Sequence, residues 1–270
     1  MITTRNRSLG AALAARSMRS LAKAALPYWM AVGIRARRYW RGHPDELRLI
    51  GLLVDRERAA IEIGAADGLY AWLLARLCRH LYAYEPNPDF FAILSGLRGR
   101  NISLFPYAIS DREGAMELRI PRDRGGRERP LEASLERRFG DDCRKVALIA
   151  KPLDALEHRP VGFIKIDVEG HEAAVLRGAA RTLARFRPRL WIEIEQRHLN
   201  CAIHEVFAAI ESMGYEGLFP YQKKLMSLSQ FDLARHQLAL LDSPESSLYV
   251  NNFAFIPKEE GSAAIVAAWR

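Results

Sequence analysis

The stretch AAIEIGAADGLYAWLLARL, residues 59–77, constrains the chain most. Its first five residues read as a buried strand and its last nine as a helix. Between them stands Gly64-Ala65-Ala66-Asp67-Gly68, too small and too polar for core. The hand-over from strand to helix then recurs. Strands are expected over 59–63, 81–85, 102–109, 115–120, 161–168, 189–195, 215–221 and 249–256, with helices over 69–78, 89–97, 172–186 and 203–213. Pro106 makes the third strand irregular or an edge. Alternating strands and helices imply an α/β fold with a parallel sheet covered on both faces. In such sheets ligands bind beyond the carboxyl ends of the strands, so chemistry is expected there.

Two segments fall outside this rhythm. Residues 1–44 hold nine basic side chains and no acidic one; removing that +9 from the net +8 leaves the other 226 residues near −1. The basic character belongs to an extension, residues 1–50, expected to be helical or partly disordered ahead of a domain over 51–270. A near-neutral body speaks against a nucleic-acid partner. The longest uncharged apolar run in the extension, 24–34, is eleven residues interrupted by Pro27, short of the ~20 needed to span a membrane. Arginines at 16 and 19 also interrupt any signal-peptide core. Packing on the body, disorder, or contact with an anionic membrane surface remain for residues 1–44, and the expected location is cytoplasmic, with membrane-peripheral attachment as the alternative. The second segment, 121–145, carries Gly-Gly, two prolines, eight basic and six acidic residues. It reads as a mobile insertion with one short helix, shaping the acceptor side. Cys78, Cys143 and Cys201 form no CxxC pair and suggest neither a disulfide framework nor a zinc site.

At the first strand end, Gly64 and Gly68 leave room for a ligand near the backbone, and a helix N-terminus follows. The dinucleotide fingerprint starting at Gly64 requires glycine at 66 and glycine or alanine at 69; this chain has Ala66 and Leu69. That counts against a nicotinamide-dependent oxidoreductase. Asp67 would repel a phosphate, whereas Glu62 and Asp67 suit a cationic ligand. Glu85, 21 residues beyond Gly64, stands where a carboxylate can accept both ribose hydroxyls of an adenosine, presented by a turn stiffened by Pro86 and Pro88. Adenosine without pyrophosphate and with a positive centre describes S-adenosylmethionine. Ala108-Ile109-Ser110-Asp111 could edge the adenine, and a simple turn over 111–114 explains this stretch equally well. In FIKIDVEGHE, Lys165, Asp167 and Glu169 alternate, and unpaired burial would be costly. Lys165 could pair with Glu193 if the fourth and fifth strands are neighbours. Asp167, Glu169 and His171 form an acid/base-capable cluster at the open end.

The segments IEIGAADGLY, AYEPNP, YAISD, IKIDVEGHEAAVLRGA and LWIEIE, in this order, resemble the FkbM family of S-adenosylmethionine-dependent methyltransferases over roughly residues 57–256. The resemblance implies a class I methyltransferase fold: a Rossmann-like three-layer sandwich with a seven-stranded, mostly parallel sheet and an antiparallel last strand. It implies O-methylation of sugar or polyketide hydroxyls. Ala66 departs from the asparagine common in the family's GAN-x-G turn, and Asp67 replaces an apolar or small residue. The expected cofactor site comprises Glu62, Gly64, Ala65, Ala66, Asp67, Gly68, Tyr70, Glu85, Pro86, Asn87, Ala108, Ile109 and Asp167.

Methyl transfer needs an oxygen held in line with the S–CH3 bond and a base for its proton. His171 or Glu169 is the expected base, with His198 in reserve and Asp167 orienting the acceptor or the methionine end of the cofactor. No resident metal is expected; a magnesium between Asp167 and Glu195 is the alternative. A non-catalytic, membrane-attached protein that kept the fold is a further alternative. The expected partner is a small-molecule or glycan acceptor, and the oligomeric state stays open.

Overall fold

The computed structural model describes residues 26–97, 99–123, 125–137, 139, 142–244 and 246–269. Its centre is a sheet built on β1 (Ala59–Ile63), β2 (His80–Tyr84) and β3 (Ile102–Phe105) to one side. To the other side lie β7 (Val161–Ile166), β8 (Arg189–Glu193), β11 (Asn252–Pro257), β9 (Tyr215–Tyr221) and β10 (Lys224–Ser227). The order is β10-β9-β11-β8-β7-β1-β2-β3. β3, β2, β1, β7 and β8 run parallel, and β11 inserts antiparallel between β8 and β9. This is the expected seven-stranded arrangement, with β10 added as a hairpin on β9.

The central strands β1 and β7 are buried at every position. That is why their apolar runs are nearly continuous instead of alternating. Ile61 and Ile63 of β1 face a core completed by α5 (Glu172–Gly178), α6 (Ala180–Phe186) and α7 (Ile203–Ser212). Ala60 faces the opposite core, completed by α1 (Tyr28–Gly42), α2 (Pro44–Leu53), α3 (Leu69–Leu77), α4 (Pro88–Leu94) and α8 (Ala263–Trp269). The basic extension therefore supplies core: Val32, Ala36, Leu49 and Ile50 are fully buried. Residues 1–25, the remainder of the extension, lie outside the described residues.

The segment expected as the third strand divides at Pro106. Its first half stays in the main sheet as β3, and β4 (Ala108–Ile109) joins a second, three-stranded sheet. The partners of β4 there are β6 (Cys143–Lys151) and β5 (Gly114–Pro121), in the order β4-β6-β5. β6 was hidden in sequence by its charged start and half-exposed pattern. The 121–145 excursion is thus the β5–β6 connection. It carries a 3-10 turn at Pro130–Glu132 and an antiparallel bridge from Ser134 back to Arg119. The expected helix 172–186 is divided into α5 and α6 at Ala179. Among the described residues, no helix is long and apolar enough to cross a membrane.

Candidate active site

The β1–α3 turn needs glycine at both of its ends. Gly64 has φ +83°, and a Cβ there would stand 1.9 Å from the backbone oxygen of Asp167. Gly68 caps α3 at φ +80°. Ala66 also takes a left-handed conformation, φ +45°. Its N–H donates to Glu85 Oε2 at 2.6 Å, while Asn87 N–H donates to Oε1 at 2.8 Å. The buried Glu85 carboxyl is therefore fixed by two backbone donors. Burial pushes its pKa up to about 7, against the lowering effect of those hydrogen bonds. Each carboxylate oxygen keeps acceptor capacity for a ligand hydroxyl.

At the end of β7 the chain turns sharply. Glu169 has φ +53° and Gly170 φ +101°, and a Cβ at Gly170 would meet the His198 backbone oxygen at 2.3 Å. A non-glycine residue held there is strained, a condition that clusters at functional sites. Ser134, from the β5–β6 connection, donates its hydroxyl to the Glu169 carbonyl at 2.6 Å and so holds this turn. Glu169 Oε2 lies 2.8 Å from His198 Nδ1, at ion-pair distance but off the line of a hydrogen bond. Burial raises the Glu169 pKa, and His198 partly counters that.

Lys165 is buried, and its Nζ donates to Asp167 Oδ2 at 2.9 Å and sits 4.3 Å from the Tyr70 ring centroid. Burial opposes its charge, but Asp167 and Glu62 outweigh that and hold its pKa up. The expected Lys165–Glu193 pair does not form. Register sets Lys165 beside Glu62 of β1 and Trp191 of β8, and Glu193 instead accepts from Asn251 at 3.0 Å.

An open cavity of about 250 Å³ lies over these strand ends, far beyond the ~30 Å³ of one water and near the lower end of ligand pockets. Gly64, Ala66, Glu85, Pro86 and Asn87 form one wall, Ala108 and Ile109 another. Asp167, Glu169 and His171 line it too, with Glu193, which the sequence had suggested only as an ion-pair partner. Leu118, Pro130, Leu131, Ala133 and Leu135 add an apolar side. Five expected site residues do not line it: Glu62, Ala65, Asp67, Gly68 and Tyr70. Glu62 and Ala65 are buried. Asp67 pairs with Arg35 of α1, and its carbonyl accepts from Tyr28. The Tyr70 hydroxyl donates to Glu46 of α2. The acid between the glycines is thus engaged by the N-terminal helix, a long-range partner that local sequence spacing does not reveal.

The expected base His171 is buried with both ring nitrogens engaged: Nδ1 lies 2.6 Å from Glu136 Oε1, and Nε2 lies 3.0 Å from Ser110 Oγ. Glu136 was not anticipated, because it lies on the segment read as an insertion; Ser110 was expected only at the edge of the adenine, not as a partner of His171. Asp167, Glu169 and Glu193 could bring carboxylate oxygens within 4.8 Å of one another. Glu195, the partner suggested for a magnesium, is instead bound by Arg197 at 2.7 Å and by the Tyr249 hydroxyl.

The inserted antiparallel strand, the glycine turn at the first strand end and the acid at the second define a class I methyltransferase fold, whose cofactor is S-adenosylmethionine. The chain belongs to the FkbM methyltransferase family: the family described as "Methyltransferase FkbM domain" matches residues 62–216. The donor set fits that cofactor. Among the described residues, the cavity lining includes four carboxylates (Glu85, Asp167, Glu169 and Glu193) and no lysine or arginine. That suits a sulfonium and gives a pyrophosphate no counter-charge. Among solved structures, the FkbM methyltransferase of Methylobacillus flagellatus KT is 17% identical with a TM-score of 0.49. The match covers 76% of this chain and 45% of that one, so this chain spans less than half of that protein's length. A precorrin-6y C5,15-methyltransferase of Geobacter metallireducens is 13% identical, TM-score 0.42, covering 78% of this chain and 87% of that one. A TehB-like methyltransferase of Corynebacterium glutamicum is 12% identical, TM-score 0.39, covering 93% and 99%. A search of curated proteins found no sequence match.

Proposed function

We propose that the chain is an S-adenosylmethionine-dependent O-methyltransferase acting on a hydroxyl of a sugar, glycan or polyketide-type small molecule. The observation that carries this reading is Glu169: a strained residue whose carboxyl is raised in pKa by burial, lies beside Asp167 and borders the cavity. The bound cofactor supplies an electrophilic methyl group on a positive sulfur.

Glu85 accepts the ribose hydroxyls with the lone pairs its two backbone donors leave free. Asp167, fixed by Lys165, orients the polar end of the cofactor or the acceptor. Glu169 takes the acceptor's proton on its carboxylate, and His198 steadies the charge there. His171 positions the turn through Glu136 and Ser110, since neither of its nitrogens is free. The leucines and Pro130 of the β5–β6 side present an apolar wall to the carbon face of the acceptor.

Turnover of Glu169→Gln tests the base. A loss of about 10²–10⁴-fold is expected, with affinity for S-adenosylhomocysteine retained in calorimetry. Full turnover with bound cofactor would remove Glu169 from the role. A labelled-methyl screen against glycans and hydroxylated polyketides tests the acceptor class; label appearing only on nitrogen or carbon acceptors would overturn O-methylation.

A further inference from the structure

We infer that the outer face of α1 is a docking surface for an anionic lipid bilayer. The helix buries one stripe, Val32, Gly33, Ala36 and Trp40, against the body. A second stripe, Met30, Ile34, Arg37 and Arg41, follows i, i+4, i+7, i+11 spacing and therefore lies along one exposed side of the helix. Its first half is apolar and exposed, with Met30 39% and Ile34 55% accessible; Trp29, in the first turn and on another side of the helix, is 44% accessible. Its second half is basic and exposed, with Arg38 adjoining.

The mounting of this helix is rigid. Its backbone at Gly33 rests directly on the indole of Trp72 in α3, where an added Cβ would meet the ring nitrogen at 2.9 Å. Arg76 stacks on that indole, its Cζ 3.5 Å from the ring centroid. Partial burial and then the nearby positive charge of Arg37 lower the Arg76 pKa. Two helices thus hold like charges close together, an arrangement that favours an external anion. Arg35, the remaining arginine of α1, is paired with Asp67.

The segment 1–25, which leads into this end of the helix, adds five basic side chains and no acid. Basic residues flanking exposed tryptophan and aliphatic side chains match the bilayer interface, where apolar groups enter below the headgroups and arginines pair with phosphates. A nucleic acid would use the arginines but give Met30 and Ile34 no apolar environment.

The test is co-flotation of the full chain with phosphatidylglycerol-containing vesicles, with phosphatidylcholine vesicles alone, and a parallel titration with RNA. Binding to the anionic vesicles is expected, with little to phosphatidylcholine. Arg37→Ala with Arg41→Ala should weaken it about 25-fold, at roughly five-fold per arginine. Met30→Ser with Ile34→Ser should weaken it further at high salt, where charge is screened. None of these side chains lines the cavity, so S-adenosylhomocysteine binding should be unchanged and reports that each variant is folded. No flotation with anionic vesicles, equal flotation with phosphatidylcholine, or RNA binding insensitive to the Met30 and Ile34 changes would overturn the proposal.

Discussion

Glu85 shows how one side chain can set a cofactor's pH dependence. Its carboxyl is buried, takes two backbone donors and titrates at about 7. Only the ionised form accepts from two ribose hydroxyls while keeping both backbone bonds. Affinity for S-adenosylhomocysteine should therefore rise as pH increases through 7 and level above 8. Glu85→Gln should flatten that profile and weaken binding by about tenfold or more, the order of one lost charged hydrogen bond. Calorimetry between pH 6 and 9 reads both; a wild-type profile without slope would remove Glu85 from the ribose role. Ala66, next along the same wall, sits in a left-handed conformation that costs alanine about 1 kcal/mol. Asparagine tolerates it better. Ala66→Asn should leave the Glu85 contact intact, since that contact uses the backbone, and raise Tm by about 2–4 °C.

The two principal strand ends meet through Gly64, which cannot carry a side chain without striking the Asp167 carbonyl. Gly64→Ala meets both that clash and the cost of φ +83°. Gly261 has φ +72°, and a Cβ there would have nothing within 4 Å, so Gly261→Ala isolates the backbone cost, about 1–2 kcal/mol. Chemical denaturation should show Gly64→Ala destabilised by clearly more, with cofactor binding lost in whatever remains folded. Equal effects would mean that the β1 and β7 ends are not locked together. At this scale much was legible in sequence. The apolar runs of β1 and β7, the glycine turn, Glu85 and the Asp167–Glu169–His171 cluster follow from local composition and period. The rest depends on contacts between distant segments. Nothing local to KVALIAK marks it as the centre of a second sheet, because its partners are β4 and β5. Nothing near Lys165 decides between Glu193 and Asp167; inter-strand register does. Asp67 reads as a ligand for a cation until Arg35, 32 residues earlier in the chain, is folded against it.

Across the whole molecule the strand ends hold more acid than base, and the imbalance makes stability depend on pH. Lys165 stands among Glu62, Asp167 and Glu193, all of which interact with its charge. Burial accordingly lifts the Glu62 pKa from 4.5 to about 8 and that of Glu172 to about 8. A carboxyl raised in the folded state binds a proton that the unfolded chain has released. Its contribution is complete below about 4.5 and disappears as pH rises through the folded value. The ligand-free protein should therefore lose stability between pH 5 and 8.5, by a few kcal/mol on the order implied by the shift. Glu62→Gln keeps the neutral shape and leaves Lys165 its bond to Asp167. It should raise Tm at pH 8.5, change it little at pH 5.5, and reduce the slope between them. Glu62 lies outside the cavity lining, so cofactor affinity at a fixed pH should stay close to that of the parent. Parallel Tm curves for the parent and Glu62→Gln would show that Glu62 is already ionised when folded, with Lys165 carrying its charge.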